Sequence, residues 1–199
     1  MAYNSFKNLA ELQQLYGLSI VSAGSLFAQT AEFPPSEQLR SVLTEQVPLA
    51  LNINTEKARS ELIIAPILVE VRRVLNCQVS LFSGVEFNVT AELAGYCDFL
   101  LSKSPDQVFL EVPVVCVVEA KNENIKNGYV QCVAEMVAAQ LFNEKQGRPV
   151  TSIGGAVTTG SNWKFLQLTG QTVQIDYDEY LIANVGKLLG ILVAMLQVN

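Results

Sequence analysis

The 199-residue chain contains no histidine. That absence removes Ser-His-Asp and Cys-His catalysis outright. Basic residues are scarce: 13 Lys and Arg stand against 19 Asp and Glu, for a net charge of −6 and a pI near 4.7. Such a balance cuts against a nuclease, because nucleic-acid binders usually carry a basic face, and weak unaided affinity for nucleic acid is expected. Cys77, Cys97, Cys116 and Cys132 form no C-x-x-C pair, so a zinc cluster is not indicated, and each reads as a small buried hydrophobe in a reducing compartment. Neither G-x-x-x-x-G-K-[ST] nor G-x-G-x-x-G occurs, which leaves no phosphate-cradling loop. No apolar run reaches the roughly 18 residues of a membrane span; the nearest, Leu188 to Val198, is too short. Residues Met1 to Lys7 lack the charged and apolar regions of a signal peptide. The expected location is cytoplasmic, with no membrane partner.

What is abundant is apolar side chain. Half of the residues are hydrophobic and 16% are charged, which favours a large core over disorder. A chain of this length is most simply one domain and buries roughly 70% of its unfolded surface. Residues 5–16 and 36–46 read as helices separated by Pro34-Pro35, with Ser36 as N-cap of the second. Residues 17–28 take no firm assignment. A long helix begins after Asn54-Thr55, with Ala58, Leu62, Ala65 and Val69 at helical spacing and Pro66 kinking or dividing it. The period then changes to two. Strands are predicted around Val79 to Val89, over 96–103 and over 112–121, the last apolar almost throughout, as in a central strand covered on both faces. A helix over 129–144, strands over 151–158 and 163–168, and a final helix over roughly 178–197 complete the chain. The predicted class is α/β: a helical extension over 1–54, a core with a mixed sheet flanked by helices over 55–170, and a C-terminal helix over 171–199.

Two strands carry charge where apolar residues are expected. Asp98 lies in Cys97-Asp98-Phe99-Leu100-Leu101, and Glu119-Ala120-Lys121 ends the run that starts at Val114. Strand side chains alternate, so Glu119 and Lys121 project from one side, and pairing of the two runs brings Asp98 toward it. Two carboxylates and an ammonium at the end of a buried sheet are expensive unless they hold a metal or one another. That is the arrangement a divalent-cation-dependent phosphodiesterase needs.

A helix with a glutamate, a strand pair carrying Asp and then Glu-x-Lys, and a following helix with Gln131 resemble the PD-(D/E)xK nuclease superfamily, the restriction-endonuclease-like fold. The segment Thr55 to Leu68 is similar to the opening helix of nuclease domains in type I restriction subunits, and the whole chain resembles a group of cyanobacterial proteins with this fold. The resemblance implies that Asp98, Glu119 and the Ala120 carbonyl ligate Mg²⁺, with Mn²⁺ as a substitute. Lys121 then positions or deprotonates a water, or stabilises the transition state. Glu61 completes the carboxylate shell or orients a water, and Gln131 bonds the lysine or a phosphate. The expected function is a Mg²⁺-dependent endonuclease acting on DNA, as a homodimer or with a protein partner supplying specificity. The competing expectation, motivated by the acidity and the apolar C-terminal helix, is a catalytically silent interaction or regulatory subunit. Cys97 stands where the family name has proline.

Overall fold

The computed structural model describes residues 3–197. Met1, Ala2 and Val198, on which parts of the leader and membrane-span expectations rest, lie outside the described residues. After a 3-10 turn at Tyr3–Ser5, α1 spans Leu9–Tyr16, capped by the Asn8 side chain and ended by Gly17 at φ 65°. Strand β1 follows at Ser19–Ala23. Helix α2, Glu37–Ile53, starts with Ser36 accepting the Leu39 N–H at 3.1 Å and runs on through Pro48, past its predicted end at 46. Thr55 caps α3, Glu56–Arg59; a π-helical turn at Ser60–Ile64 then leads into α4, Ala65–Val74. Pro66 cannot donate to an α-helical ladder, and the widened turn immediately before it, with Ala65 N–H bonded to Ser60 C=O, absorbs the break.

Strands β2 (Ser80–Glu86), β3 (Tyr96–Ser102) and β4 (Val114–Ala120) come next, then a 3-10 turn at Ile125–Gly128 and α5, Tyr129–Lys145. The chain finishes with β5 (Ser152–Thr158), β6 (Asn162–Thr169), β7 (Thr172–Asp176), β8 (Tyr180–Leu181) and α6, Val185–Gln197. These strands form one mixed sheet in the order β1-β7-β6-β5-β4-β3-β2, with β8 attached to β6. β4 and β5 are parallel and linked through α5; β1 and β7 are also parallel, and the remaining pairs are antiparallel.

Helices cover both faces. On one, Ile63, Ile67 and Leu68 with Leu188, Leu192 and Leu196 of α6 pack against Phe99, Val115, Val118 and Phe165. On the other, Val133, Met136 and Val137 of α5 with Leu12 of α1 pack against Leu100, Val117, Val157 and Leu166. All seven residues of β4 are buried, because β4 is both central in the sheet and covered on both sides. Glu70 ties α4 to the start of α2: its carboxylate accepts from Ser36 N, Ser36 Oγ and the Arg73 guanidinium. Among the described residues no helix is long and apolar enough to cross a membrane.

Three expectations are corrected. The N-terminal 54 residues are not wholly helical, because β1 lies in the unassigned stretch and pairs with β7 from the far end of the chain. The final helix begins at Val185, not near 178, and region 171–199 opens with β7; Val173 and Ile175 alternate there after the turn at Gly170. Cys77 is exposed, while Cys97, Cys116 and Cys132 are buried. The turn that follows α4 takes Asn76 and Cys77 to positive φ and brings the thiol to the surface.

Candidate functional site

The site forms where the β3–β4 pairing stops although β3 runs on, paired with β2. The last β3–β4 pair on this side is Phe99 with Val118. Asp98 lies one residue outside that pairing, and its Oδ2 accepts the Ala120 backbone N–H at 2.8 Å. A side chain thus replaces the backbone partner that continued β3–β4 pairing would have supplied. On the opposite edge, Lys121 N–H donates to Thr158 C=O at 2.8 Å, extending the β4–β5 ladder to the lysine.

Glu119 is fully buried, and its Oε1 accepts from Lys121 Nζ. Its second oxygen, Oε2, is buried and has no hydrogen-bond partner among the described residues. Burial, and then the nearby Asp98 charge, push the Glu119 carboxyl up to about 8 against the pull of Lys121. Burial works against the Lys121 charge, but Glu119, Glu56 and Asp98 outweigh it and hold the ammonium above its ordinary range. Close packing is made possible by Gly128 in the turn before α5. A Cβ there would lie 2.4 Å from Val157 Cγ1, 3.2 Å from Lys121 Cγ and 3.4 Å from Glu119 Cγ. Only glycine lets this turn settle onto the charged pair.

Helix α5 completes the inner wall. Gln131 Oε1 accepts from Lys121 Nζ at 3.4 Å, and Gln131 Nε2 donates to Glu135 Oε1 at 3.2 Å. Glu135 is fully buried, its Oε2 has no hydrogen-bond partner among the described residues, and burial followed by the Glu119 charge raises its carboxyl well above the carboxylate range. The outer wall is a cleft of about 250 Å³ bordered by Glu56, Glu61, Ser83, Asp98 and Ala120.

The fold therefore brings Asp98, Glu119, Lys121 and Gln131 to one place. Glu61 reaches only the cleft wall, where it is paired with Lys57 at 2.8 Å, both side chains well exposed. Glu56, which the sequence assigns only to the helix dipole, is the helix glutamate whose charge acts on both Glu119 and Lys121. Glu135 was not singled out, because the polar residues of α5 read as a solvated face; its spacing of four from Gln131 was the available signal. It is buried on the side of α5 that faces Cys97 and Asp98 of β3 and Glu119 of β4, with Tyr3 also beside it.

The donor chemistry suits a hard cation. Among the described residues no group of three or more His, Cys, Asp or Glu side chains converges on one point. The oxygens at hand are those of Asp98, Glu119 and the Ala120 carbonyl, and the unpartnered Glu119 Oε2 is an acceptor that a cation would satisfy. Few protein oxygens with several retained waters is the coordination habit of Mg²⁺ and not of zinc. No protein-family model matches the chain, and neither does any curated protein sequence.

Proposed function

We propose that the chain is a Mg²⁺-dependent endonuclease with a restriction-endonuclease-like core of the PD-(D/E)xK type, hydrolysing phosphodiester bonds in DNA. The observation that carries this reading is the meeting of Asp98, Glu119 and Lys121 at the end of β4 beside a cleft, with one buried Glu119 oxygen left unpartnered. Asp98, Glu119 and the Ala120 carbonyl would hold Mg²⁺, or Mn²⁺ in its place. A cation bound there supplies charge neutralisation at the phosphate and a more acidic water. The chain's own residues do the remaining work. Lys121, held between Glu119 and Gln131, orients the attacking water or carries the charge that develops on the phosphoryl oxygens. Glu56 adds negative potential that attracts the cation, and Glu61 on the cleft wall orients solvent.

The net charge of −6 works against tight unaided DNA binding, so the active form is a homodimer or an assembly with a protein partner that supplies specificity. Free thiols at all four cysteines support action in the reducing cytoplasm. One feature favours a second reading, a catalytically silent interaction subunit: an apolar cleft of about 340 Å³ between α2 and α4, with Leu39, Val42, Ala65 and Val69 on its walls.

The test is incubation of wild type and Lys121→Ala with supercoiled plasmid and with single-stranded DNA, in Mg²⁺ and in Mn²⁺. Nicking by wild type that is abolished by EDTA and by the substitution supports the nuclease. Absence of cleavage in both metals, with a stable protein complex that persists in Lys121→Ala, supports the silent subunit instead.

A further inference from the structure

We propose that Glu135 is a positioning residue that aims Gln131 at the Lys121 ammonium, an inference that rests on the nuclease reading of the same site. A glutamine amide has one accepting end and one donating end, whereas an ammonium only donates. Gln131 can therefore serve Lys121 only with Oε1 facing Nζ, which turns Nε2 toward the next turn of α5. Glu135 stands there, four residues on, and its Oε1 receives Nε2 at 3.2 Å. With the amide reversed, Nε2 would face the ammonium, donor against donor, and the bond to Lys121 would be lost. Glu135 is fully buried, so solvent does not supply the missing acceptor.

Stability alone does not account for this residue. Its helix neighbours Cys132, Val133, Met136 and Val137 belong to the apolar core, and the nearby Glu119 and Asp98 charges oppose its ionisation. Among the described residues one Glu135 oxygen has no hydrogen-bond partner, and a buried polar atom in that state costs free energy. A leucine or methionine would fill much the same space without that cost. The fold carries an expensive side chain whose one side-chain amide contact leads through Gln131 to Lys121. Cys97 of β3 lies beside the same carboxyl.

The experiment compares full-length wild type, Glu135→Leu and Glu135→Gln. In the first arm, the side-chain amide resonances of Gln131, assigned by Gln131→Ala, are followed by NMR together with melting temperature. Glu135→Leu is expected to melt at or above the wild-type temperature while the Gln131 amide protons lose their protection from solvent exchange; Glu135→Gln, which keeps an acceptor, restores that protection. In the second arm, plasmid cleavage by Glu135→Leu is expected to fall at least tenfold in kcat with KM little changed, and Glu135→Gln recovers most of that loss. An unaltered Gln131 amide in Glu135→Leu, a kcat within twofold of wild type, or a loss that simply follows a fall in melting temperature overturns the proposal. A wild type that cleaves nothing overturns the nuclease reading alone, since the amide arm then decides the positioning role.

Discussion

Asp98 Oδ2 accepts the Ala120 backbone N–H at 2.8 Å, so one candidate cation ligand is fastened to the strand that carries the other. This gives the two roles of Asp98 different chemical requirements. An asparagine keeps an acceptor for the N–H but loses the charge. Asp98→Asn is expected to fold with a wild-type melting temperature and to bind Mg²⁺ at least tenfold more weakly by calorimetry. Asp98→Ala also forfeits the hydrogen bond, worth about 1 kcal/mol, and melts about 2–4 °C lower. Undiminished Mg²⁺ binding in both variants would remove Asp98 from the site.

Glu119 makes cation binding depend on pH. Its carboxyl, pushed up to about 8 by burial and Asp98, is largely protonated at pH 6, and a ligating carboxylate must be deprotonated. Mg²⁺ affinity should therefore rise as pH climbs from 6 toward 8, by up to about tenfold per unit for one released proton, and flatten above that. Proton release measured by calorimetry in two buffers of different ionisation enthalpy checks the sign. An affinity independent of pH over this range would exclude Glu119 as the titrating ligand.

The two helix glutamates on the cleft wall should separate in function. Glu56 acts electrostatically on both Glu119 and Lys121, whereas Glu61 is engaged by Lys57 at the surface. Glu56→Gln is expected to weaken Mg²⁺ binding several-fold, and Glu61→Gln to leave it within about twofold, since exposed ion pairs contribute little. Titration of both variants with Mn²⁺, followed by electron paramagnetic resonance, measures the difference. The reverse ranking would restore Glu61 to the carboxylate shell.

Gly128 is the packing test. A Cβ at this position meets Val157 Cγ1 at 2.4 Å, and relief requires movement of the turn that covers Glu119 and Lys121. Gly128→Ala should cost about 1–3 kcal/mol through overpacking and lower Mg²⁺ affinity together with stability. Gly24→Ala serves as the control, because a Cβ there meets nothing within 4 Å. Equal denaturation midpoints for the two variants would refute the close-approach argument.

Much of the α/β architecture was legible because its determinants are local. Ser36 and Thr55 cap the helices they precede, the β4 run is apolar because it is covered twice, and Pro66 marks the irregular turn between α3 and α4. The elements that escaped depend on distant partners. β1 has one apolar pair, Ile20 and Val21, flanked by serines, and becomes a strand by docking on β7, some 150 residues away in the chain. β7 alternates as a strand should, yet its five residues were absorbed into the approach to the C-terminal helix.

The same division runs through the site. Alternation along a strand is a covalent property of the backbone, so the sequence by itself determined that Glu119 and Lys121 share a side and that Asp98 lies near the end of the preceding strand. Tertiary structure decided which glutamates accompany them. Glu61 and Glu56 are separated by a little more than one helical turn, and only the placement of α3 across the cleft from Asp98 and Ala120 brings the charge of Glu56 to bear on the pair. Glu135 looks like any polar residue of an amphipathic helix until the fold sets it against β3 and β4 and removes its water. Burial is a sum over contacts from the whole chain, and it is burial that turns an ordinary carboxyl into one with a raised proton affinity, an unpartnered oxygen and a single direction in which to act.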